Sequence, residues 1–204
     1  MTVKQKKRGR PRTHEGQLSA QNIMEMAKAM MREEGKVPSI RKLASNLDVD
    51  AMAIYYYFEN KSCLLEAMTT SLIEEVYQPN GEQDWKLELR LLCTSYLTLL
   101  SNYSGLLETL LNMSAESPAN VFMQRFSFII EPLKLNKIAE QNALDLLVDY
   151  LHGFALAMRC NNGEIPLEFD MLDGPLALYC LGLEHVRVRD KQTQISDVTM
   201  NAHL

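Results

Sequence analysis

The sequence predicts an all-α protein of about nine helices, on three observations. Apolar residues recur at spacings of three and four along most of the chain. The 7 prolines and 9 glycines are few, and they fall mainly between the periodic segments. No alternating apolar and polar segment indicates a strand. A hydrophobic content of 47% in 204 residues is enough for a sizeable core. We expect an N-terminal three-helix domain followed by a larger helical domain.

Cap residues mark where the first four helices begin. Ser19 is a good N-cap for the first helix, and Gly35 is expected to stop it. Ser39, Asp50 and Asn60 stand at the corresponding positions before the second, third and fourth helices. These signals place three helices before residue 60.

The remainder of the chain has the pattern of long amphipathic helices. A fourth helix is expected over about 61–77, followed by a cluster of turn residues at 78–82. Further helices are predicted near 84–102, 104–113, 118–131, 137–161 and 173–188. Pro175 indicates either a helix start at Asp173 or a kink. We divide the chain into a basic flexible arm (1–17), a helix-turn-helix domain (18–62) and a C-terminal helical domain (63–204).

Charge is distributed unevenly between these parts. The formal net charge is −5, yet residues 1–62 hold 12 Lys and Arg against 7 Asp and Glu. The N-terminal part is therefore a cationic module attached to an acidic body. This distribution of charge favours a nucleic acid as the partner of the N-terminal part. The run Arg8-Gly9-Arg10-Pro11 resembles an AT-hook, which would place Arg8 and Arg10 in a minor groove. The alternative is that this basic segment only increases solubility.

Residues 39–61 have the pattern of two short helices joined by a tight turn. Leu43, Ala44 and Leu47 give the first helix one apolar edge, and the second helix has a matching edge around Ile54. The free side of the second helix then carries Ala51, Met52, Tyr55, Tyr56 and Tyr57. A helical hairpin inside a core is the alternative, but three adjacent tyrosines cannot all be buried.

This segment resembles the DNA-binding domain of the TetR/AcrR family of bacterial transcriptional regulators. The residues that match the family signature in register are Arg41, Leu43, Ala44, Leu47, Val49, Ile54, Tyr55, Tyr57, Phe58, Asn60 and Lys61. The chain departs from the family at Asp48, where a glycine is usual. Asp tolerates a left-handed backbone better than most residues, so the turn remains possible.

The resemblance implies a homodimeric, sequence-specific DNA-binding regulator. We expect a repressor that leaves a double-stranded DNA operator when a small-molecule effector binds. The candidate DNA contacts are Arg8, Arg10, Ser39, Ile40, Arg41, Ala51, Met52, Ala53, Tyr55, Tyr56, Tyr57 and Lys61. The candidate dimer interface comprises Leu151, Phe154, Leu178, Leu181 and Gly182. A ligand-independent regulator, whose C-terminal domain only dimerises or binds a protein, is the alternative function.

The resemblance also implies a cavity among helices five to eight. Its candidate residues are Tyr96, Tyr103, Met113, Phe122, Phe126, His152 and Met158. Aromatic and methionine side chains at helical spacing are equally compatible with a plain core. A lone histidine such as His152 can orient a small molecule in an apolar pocket, or it can be a satisfied core residue.

No catalytic motif is present, so an enzyme is disfavoured. The four histidines are scattered without partners at i+4, and we expect no metal and no cofactor. The four cysteines are far apart and lie within apolar helical patterns, which favours buried, reduced thiols in a cytoplasmic protein. No run of eighteen apolar residues indicates a transmembrane span.

Overall fold

The computed structural model describes residues 18–113, 117–161 and 168–186 and places only helices in them. The helices are α1 (Ala20–Glu34), α2 (Ile40–Asn46), α3 (Ala51–Tyr55), α4 (Lys61–Glu74), α5 (Trp85–Asn102), α6 (Leu106–Asn112), α7 (Ser117–Ile130), α8 (Lys137–Cys160) and α9 (173–186). Short 3-10 turns lie at Glu131–Leu133 and Phe169–Leu172. The predicted all-α class and the order of the helices are confirmed.

Side-chain caps begin the first four helices as predicted. The Oγ atom of Ser19 accepts from the Asn22 amide at 3.1 Å, and that of Ser39 accepts from the Lys42 amide at 3.2 Å. Asp50 and Asn60 cap α3 and α4 in the same way. Each cap satisfies an amide that the helix leaves unpaired at its N-terminus. Local sequence therefore fixes where these helices start.

The turn between α2 and α3 depends on Asp48. This residue has a φ of 52°, in the left-handed region, as its place in the family pattern predicts. The turn brings the Val49 amide to the Ala44 carbonyl at 3.0 Å. Leu43 and Ile54 are fully buried, so α2 and α3 pack against each other through the predicted apolar edges.

Helix α4 ends at Glu74, three residues earlier than the predicted end at residue 77. Its last turn tightens, with the Val76 amide bonded to the Ile73 carbonyl at 3.1 Å. The buried guanidinium of Arg125, on α7, donates to the carbonyls of Ile73, Glu74 and Val76 at 2.9, 2.9 and 2.7 Å. A cation at this end also complements the helix dipole. Long-range packing therefore decides where α4 stops.

The C-terminal part packs α5 against both α7 and α8. Its core includes Leu92, Phe126 and Leu151, which are completely buried. Arg90 of α5 forms an ion pair with Asp173 at 2.6 Å, and this pair holds the pKa of the Asp173 carboxyl below its ordinary value. Helix α9 starts at residue 173, so Pro175 lies in its first turn, where proline is tolerated.

None of the helices in the described ranges is both long enough and apolar enough to cross a membrane.

Removing the guanidinium of Arg125 should destabilise the protein. Arg125→Met keeps an unbranched stem but removes three hydrogen bonds to the carbonyls at the end of α4, so the free energy of unfolding should fall by about 2–4 kcal/mol. Urea unfolding followed by circular dichroism measures this.

Arg159→Met is the matched control, because Arg159 pairs with Glu108 at 3.0 Å on the surface. That change should cost about 1 kcal/mol or less. Equal losses in the two variants would contradict the assigned role of Arg125.

Candidate nucleic-acid interface and ligand cavity

Helix α3 and its C-cap residue Tyr56 present an exposed face of large side chains. Tyr56 is 86% exposed and Met52 is 71% exposed, and Tyr55 also lies open to solvent. Ala51 and Ala53 are half-buried on the same short helix. Small residues between large exposed ones let the backbone approach a partner closely, as a helix in a major groove requires.

Tyr57 lies at the end of α3 and is held by the chain itself. Its hydroxyl donates to the Leu18 carbonyl at 2.5 Å, and its ring packs edge-on against Tyr56 with centroids 5.3 Å apart. This hydroxyl therefore contacts the residue that directly follows the basic arm. Arg8 and Arg10 lie outside the described residues.

The start of α2 places its three candidate residues differently. Ser39 and Arg41 are exposed, whereas Ile40 is buried with the core. The predicted contact through the Ile40 side chain is corrected, because its apolar side chain packs inward. Lys61 is exposed at the first position of α4. Arg41 on α2 and Lys61 at the start of α4 are thus exposed cations of the N-terminal part of the chain.

A cavity of about 570 Å³ lies among α5, α6, α7, α8 and the end of α4. Four of the seven predicted residues line it: Tyr96, Met113, Phe122 and His152. The rest of the wall is apolar with a polar margin, and comprises Ile73, Leu110, Leu111, Pro118, Ala119, Asn120, Met123, Gln141, Leu144, Asp145, Val148 and Asp149. Its size and its lining are typical of a small-molecule site.

Tyr96 and His152 form the central polar contact of this cavity. The Tyr96 hydroxyl and Nε2 of His152 are 2.8 Å apart, and the Tyr96 ring packs on Phe122 with centroids 4.9 Å apart. Burial raises the pKa of the Tyr96 phenol. Burial also lowers the pKa of His152, partly opposed by the charge of Asp149. Both groups are therefore neutral at pH 7.

Three of the predicted cavity residues lie elsewhere. Phe126 is fully buried in the core. Tyr103 is also buried, and its ring lies under the Arg32 guanidinium at 5.5 Å. Met158 lines a separate space of about 140 Å³. The predictions for these residues are corrected, because helical spacing shows which residues face inward but not which neighbour they meet.

The N-terminal helices meet the larger body at two glycines. A Cβ on Gly105, just before α6, would lie 2.7 Å from the Gly35 carbonyl oxygen and 3.0 Å from the Lys36 Cα atom. Gly35, at the end of α1, has a φ of 67°. The two backbones touch because neither residue has a side chain. A second space of about 750 Å³ adjoins this contact and reaches the start of α4.

Helices α8 and α9 expose a largely apolar groove of about 610 Å³. Leu178 and Leu181 are 73% and 60% exposed, and Gly182 has no atom within 4 Å of where its Cβ would be. Phe154 is half-buried, whereas Leu151 is completely buried in its own chain. The placement of Leu151 in an interface is corrected, since its side chain does not reach the surface.

Among the described residues, no group of three His, Cys, Asp or Glu side chains could hold a metal ion. The four cysteines carry free thiols. Burial raises the pKa of Cys180 to about 11, which makes this thiol a poor nucleophile, whereas Cys160 is exposed.

Comparisons with known proteins show which proteins this chain is similar to. No protein-family model matches the chain. Over 66 residues, 31% of this chain, it is 35% identical to the tetracycline repressor protein class G of Vibrio anguillarum. The match spans about a third of the length of that relative, 31%.

Solved structures match much more of the chain. Apo ActR from Streptomyces coelicolor has a TM-score of 0.74 at 18% identity, covering 87% of this chain and 100% of ActR. BioQ in complex with its DNA operator has a TM-score of 0.68 at 18% identity, covering 83% and 99%. A single-residue variant of TetR from Acinetobacter baumannii in complex with minocycline has a TM-score of 0.62 at 21% identity, covering 87% and 98%.

The fold thus defines a helix-turn-helix protein with a cavity-bearing helical body. It is the fold of TetR-family proteins, one of which is ActR. The resemblance found in residues 39–61 is confirmed at the level of the fold.

Acidification should weaken the fold through His152. The pKa of His152 is lower in the folded chain than in the unfolded chain. As the pH falls through the ordinary value of 6.5, the unfolded chain therefore binds more protons than the folded chain does. This contribution to stability is therefore present above pH 6.5 and is lost below it. Urea unfolding from about pH 8 to about pH 5 should show a smaller loss of stability in His152→Gln than in the original protein.

His185→Gln is the control, because His185 lies exposed on α9. It should keep the pH dependence of the original protein. If His152→Gln kept it as well, the environment assigned to His152 would be wrong.

Proposed function

We propose that this protein is a sequence-specific DNA-binding transcriptional regulator, a homodimeric repressor released from its operator by a small molecule. The observation that carries the proposal is the combination of an exposed α3 face with a cavity of about 570 Å³ in one TetR-type fold. The proposed units are the arm (1–17), the DNA-binding domain (18–62) and the effector and dimerisation domain (63–204).

The DNA contact is proposed for the face that carries α3. Met52, Tyr55 and Tyr56 are exposed large side chains that nothing within the described chain covers. Arg41 and Lys61 add positive charge, which suits contacts to bases and phosphates. Arg8 and Arg10 of the arm are proposed to contact a minor groove. The operator bound to BioQ supports DNA as the partner of this fold.

The second copy is proposed to cover the groove between α8 and α9. Leu178 and Leu181 are exposed, and Gly182 allows close approach of another helix. Two recognition helices related by a two-fold axis would then read half-sites about 34–36 Å apart. Phe154 stays in the proposed interface at its edge.

The effector is proposed to bind between Tyr96, Phe122 and His152. The minocycline bound to a structural neighbour supports a small-molecule site in this fold. A ligand-independent regulator is less well supported, because a solid core would be expected among α5 to α8. We further propose that the chain acts as a regulator without enzyme activity, in the cytoplasm.

Arg41→Ala tests the DNA-binding face. The operator is first selected from random double-stranded DNA with the purified protein. If Arg41 reads a base, the variant should bind the selected operator about 1–3 kcal/mol more weakly at fixed salt, with its thermal stability unchanged, since Arg41 is exposed. Fluorescence anisotropy of the labelled operator measures this.

Lys137→Ala is the matched control, because it removes one exposed cation at the start of α8. It should leave operator affinity nearly unchanged. If Arg41→Ala also bound as tightly as the original protein, or if selection enriched no sequence, the proposed DNA-binding face would be refuted.

Gly105→Ala tests the coupling between the two parts. A Cβ at Gly105 cannot fit against the Gly35 carbonyl, so the N-terminal helices must shift relative to α6. Because half-site spacing limits which arrangements dock, operator affinity should fall about tenfold or more. Gly174→Ala is the control, since nothing lies within 4 Å of its Cβ position. Unchanged operator affinity in Gly105→Ala would show that this contact does not set the DNA-binding arrangement.

A further inference from the structure

The charged side chains known to border the 570 Å³ cavity, all from the described part of the chain, are acidic. Among the described residues that line it, the ionisable carboxylates are Asp145 and Asp149, and none is lysine or arginine. The two aspartates are four residues apart on α8, so they lie on the same side of the helix. Both are exposed, which places them where the cavity opens.

These carboxylates have no cationic partner in the part of the chain that the structure describes. No lysine or arginine of the described ranges forms an ion pair with either of them. Asp145 accepts a hydrogen bond from the neutral amide of Gln141 at 2.8 Å. His152 supplies no compensating charge at pH 7, since burial lowers its pKa. The open side of the cavity therefore carries an uncompensated negative potential.

The inner wall offers the complementary surface for an apolar body. Phe122 and Tyr96 present aromatic rings, and the side chains around them include Leu110, Leu144 and Val148. Aromatic faces also attract a cation within about 6 Å of the ring centroid. The volume of about 570 Å³ is that of a site for a molecule of drug-like size.

We infer that the cavity selects an organic cation whose positive group lies beside Asp145 and Asp149 and whose ring-bearing, apolar body lies against Phe122 and Tyr96. This rests on the proposed function, because it names the chemical class of the proposed effector. An organic anion of the same shape meets two carboxylates and no cation, so the cavity excludes it.

Two ions of nearly identical shape and opposite charge test the inference. Tetraphenylphosphonium and tetraphenylborate are titrated separately into the full chain by calorimetry, in a low-salt sodium buffer. The cation should bind about tenfold more tightly or better, and the preference should shrink as salt rises because the carboxylates are exposed. Triphenylmethanol serves as the neutral probe of the apolar wall.

The double variant Asp145→Asn/Asp149→Asn should lose most of this preference while it still binds triphenylmethanol. The control Glu33→Gln/Glu59→Gln removes the same charge from exposed positions in the N-terminal part of the chain and should keep the preference. Circular dichroism melting checks that both double variants are folded.

Equal affinities for the two ions, or tighter binding of tetraphenylborate, would overturn the inference. So would a preference that survives in Asp145→Asn/Asp149→Asn, or a failure of both ions to bind. The proposed function is judged separately, by operator binding. If tetraphenylborate bound to the protein and released it from the operator, the proposed effector-controlled function would be supported. Only the inferred positive charge of the ligand would then be wrong.

Discussion

The structure depends on how the guanidinium of Arg125 holds the end of α4. Helix α4 begins directly after the helix-turn-helix and ends beside the cavity, so its position relates the two parts. Arg125 donates to three carbonyls at and just beyond the end of the helix, where no further helical turn supplies amide donors. The cost of burying this cation is offset by these bonds and by the favourable end of the helix dipole. Helix α7, which carries Arg125, is thereby fixed to α4, and the same helix supplies Phe122 to the cavity wall.

Other polar contacts join the remaining neighbours to α4. The hydroxyl of Thr69 lies 3.5 Å from the sulfur of Met113, and Ser117 donates to Glu66 at 2.6 Å. On the opposite side, the buried ammonium of Lys28 on α1 bonds Glu75 at 2.9 Å. A molecule that displaces the cavity wall would therefore act on α4 from one side, while α1 and the helix-turn-helix follow from the other. Helix α4 is thus a physical route by which the cavity and the helix-turn-helix can be coupled.

Local signals in the sequence determine much of the fold, and contact between distant helices determines the rest. Ser19 and Gly35 bound α1 because caps act within one turn, so they are recognisable without any tertiary information. Asp48 adopts the left-handed conformation that the family pattern implies. The role of Arg125 could not be foreseen, since an arginine in an amphipathic helix is normally exposed and its acceptors lie about fifty positions away. The interface prediction for Leu151 is wrong for the same reason: apolar periodicity identifies a packed face, but not whether its own chain or a second copy covers it.

The bond between Tyr57 and Leu18 fixes the point from which the basic arm departs. Leu18 lies beside the end of α3, so in the proposed complex, with α3 on DNA, the residue that follows the arm is close to the same duplex. The arm's encounter with DNA is then intramolecular, and it is governed by an effective concentration rather than by the concentration of protein in the cell. A weak contact by Arg8 or Arg10 would gain apparent strength in this way without any additional bond. Under the proposed function, the Tyr57 hydroxyl would thus hold the start of the described chain where the arm and α3 could contact one duplex together.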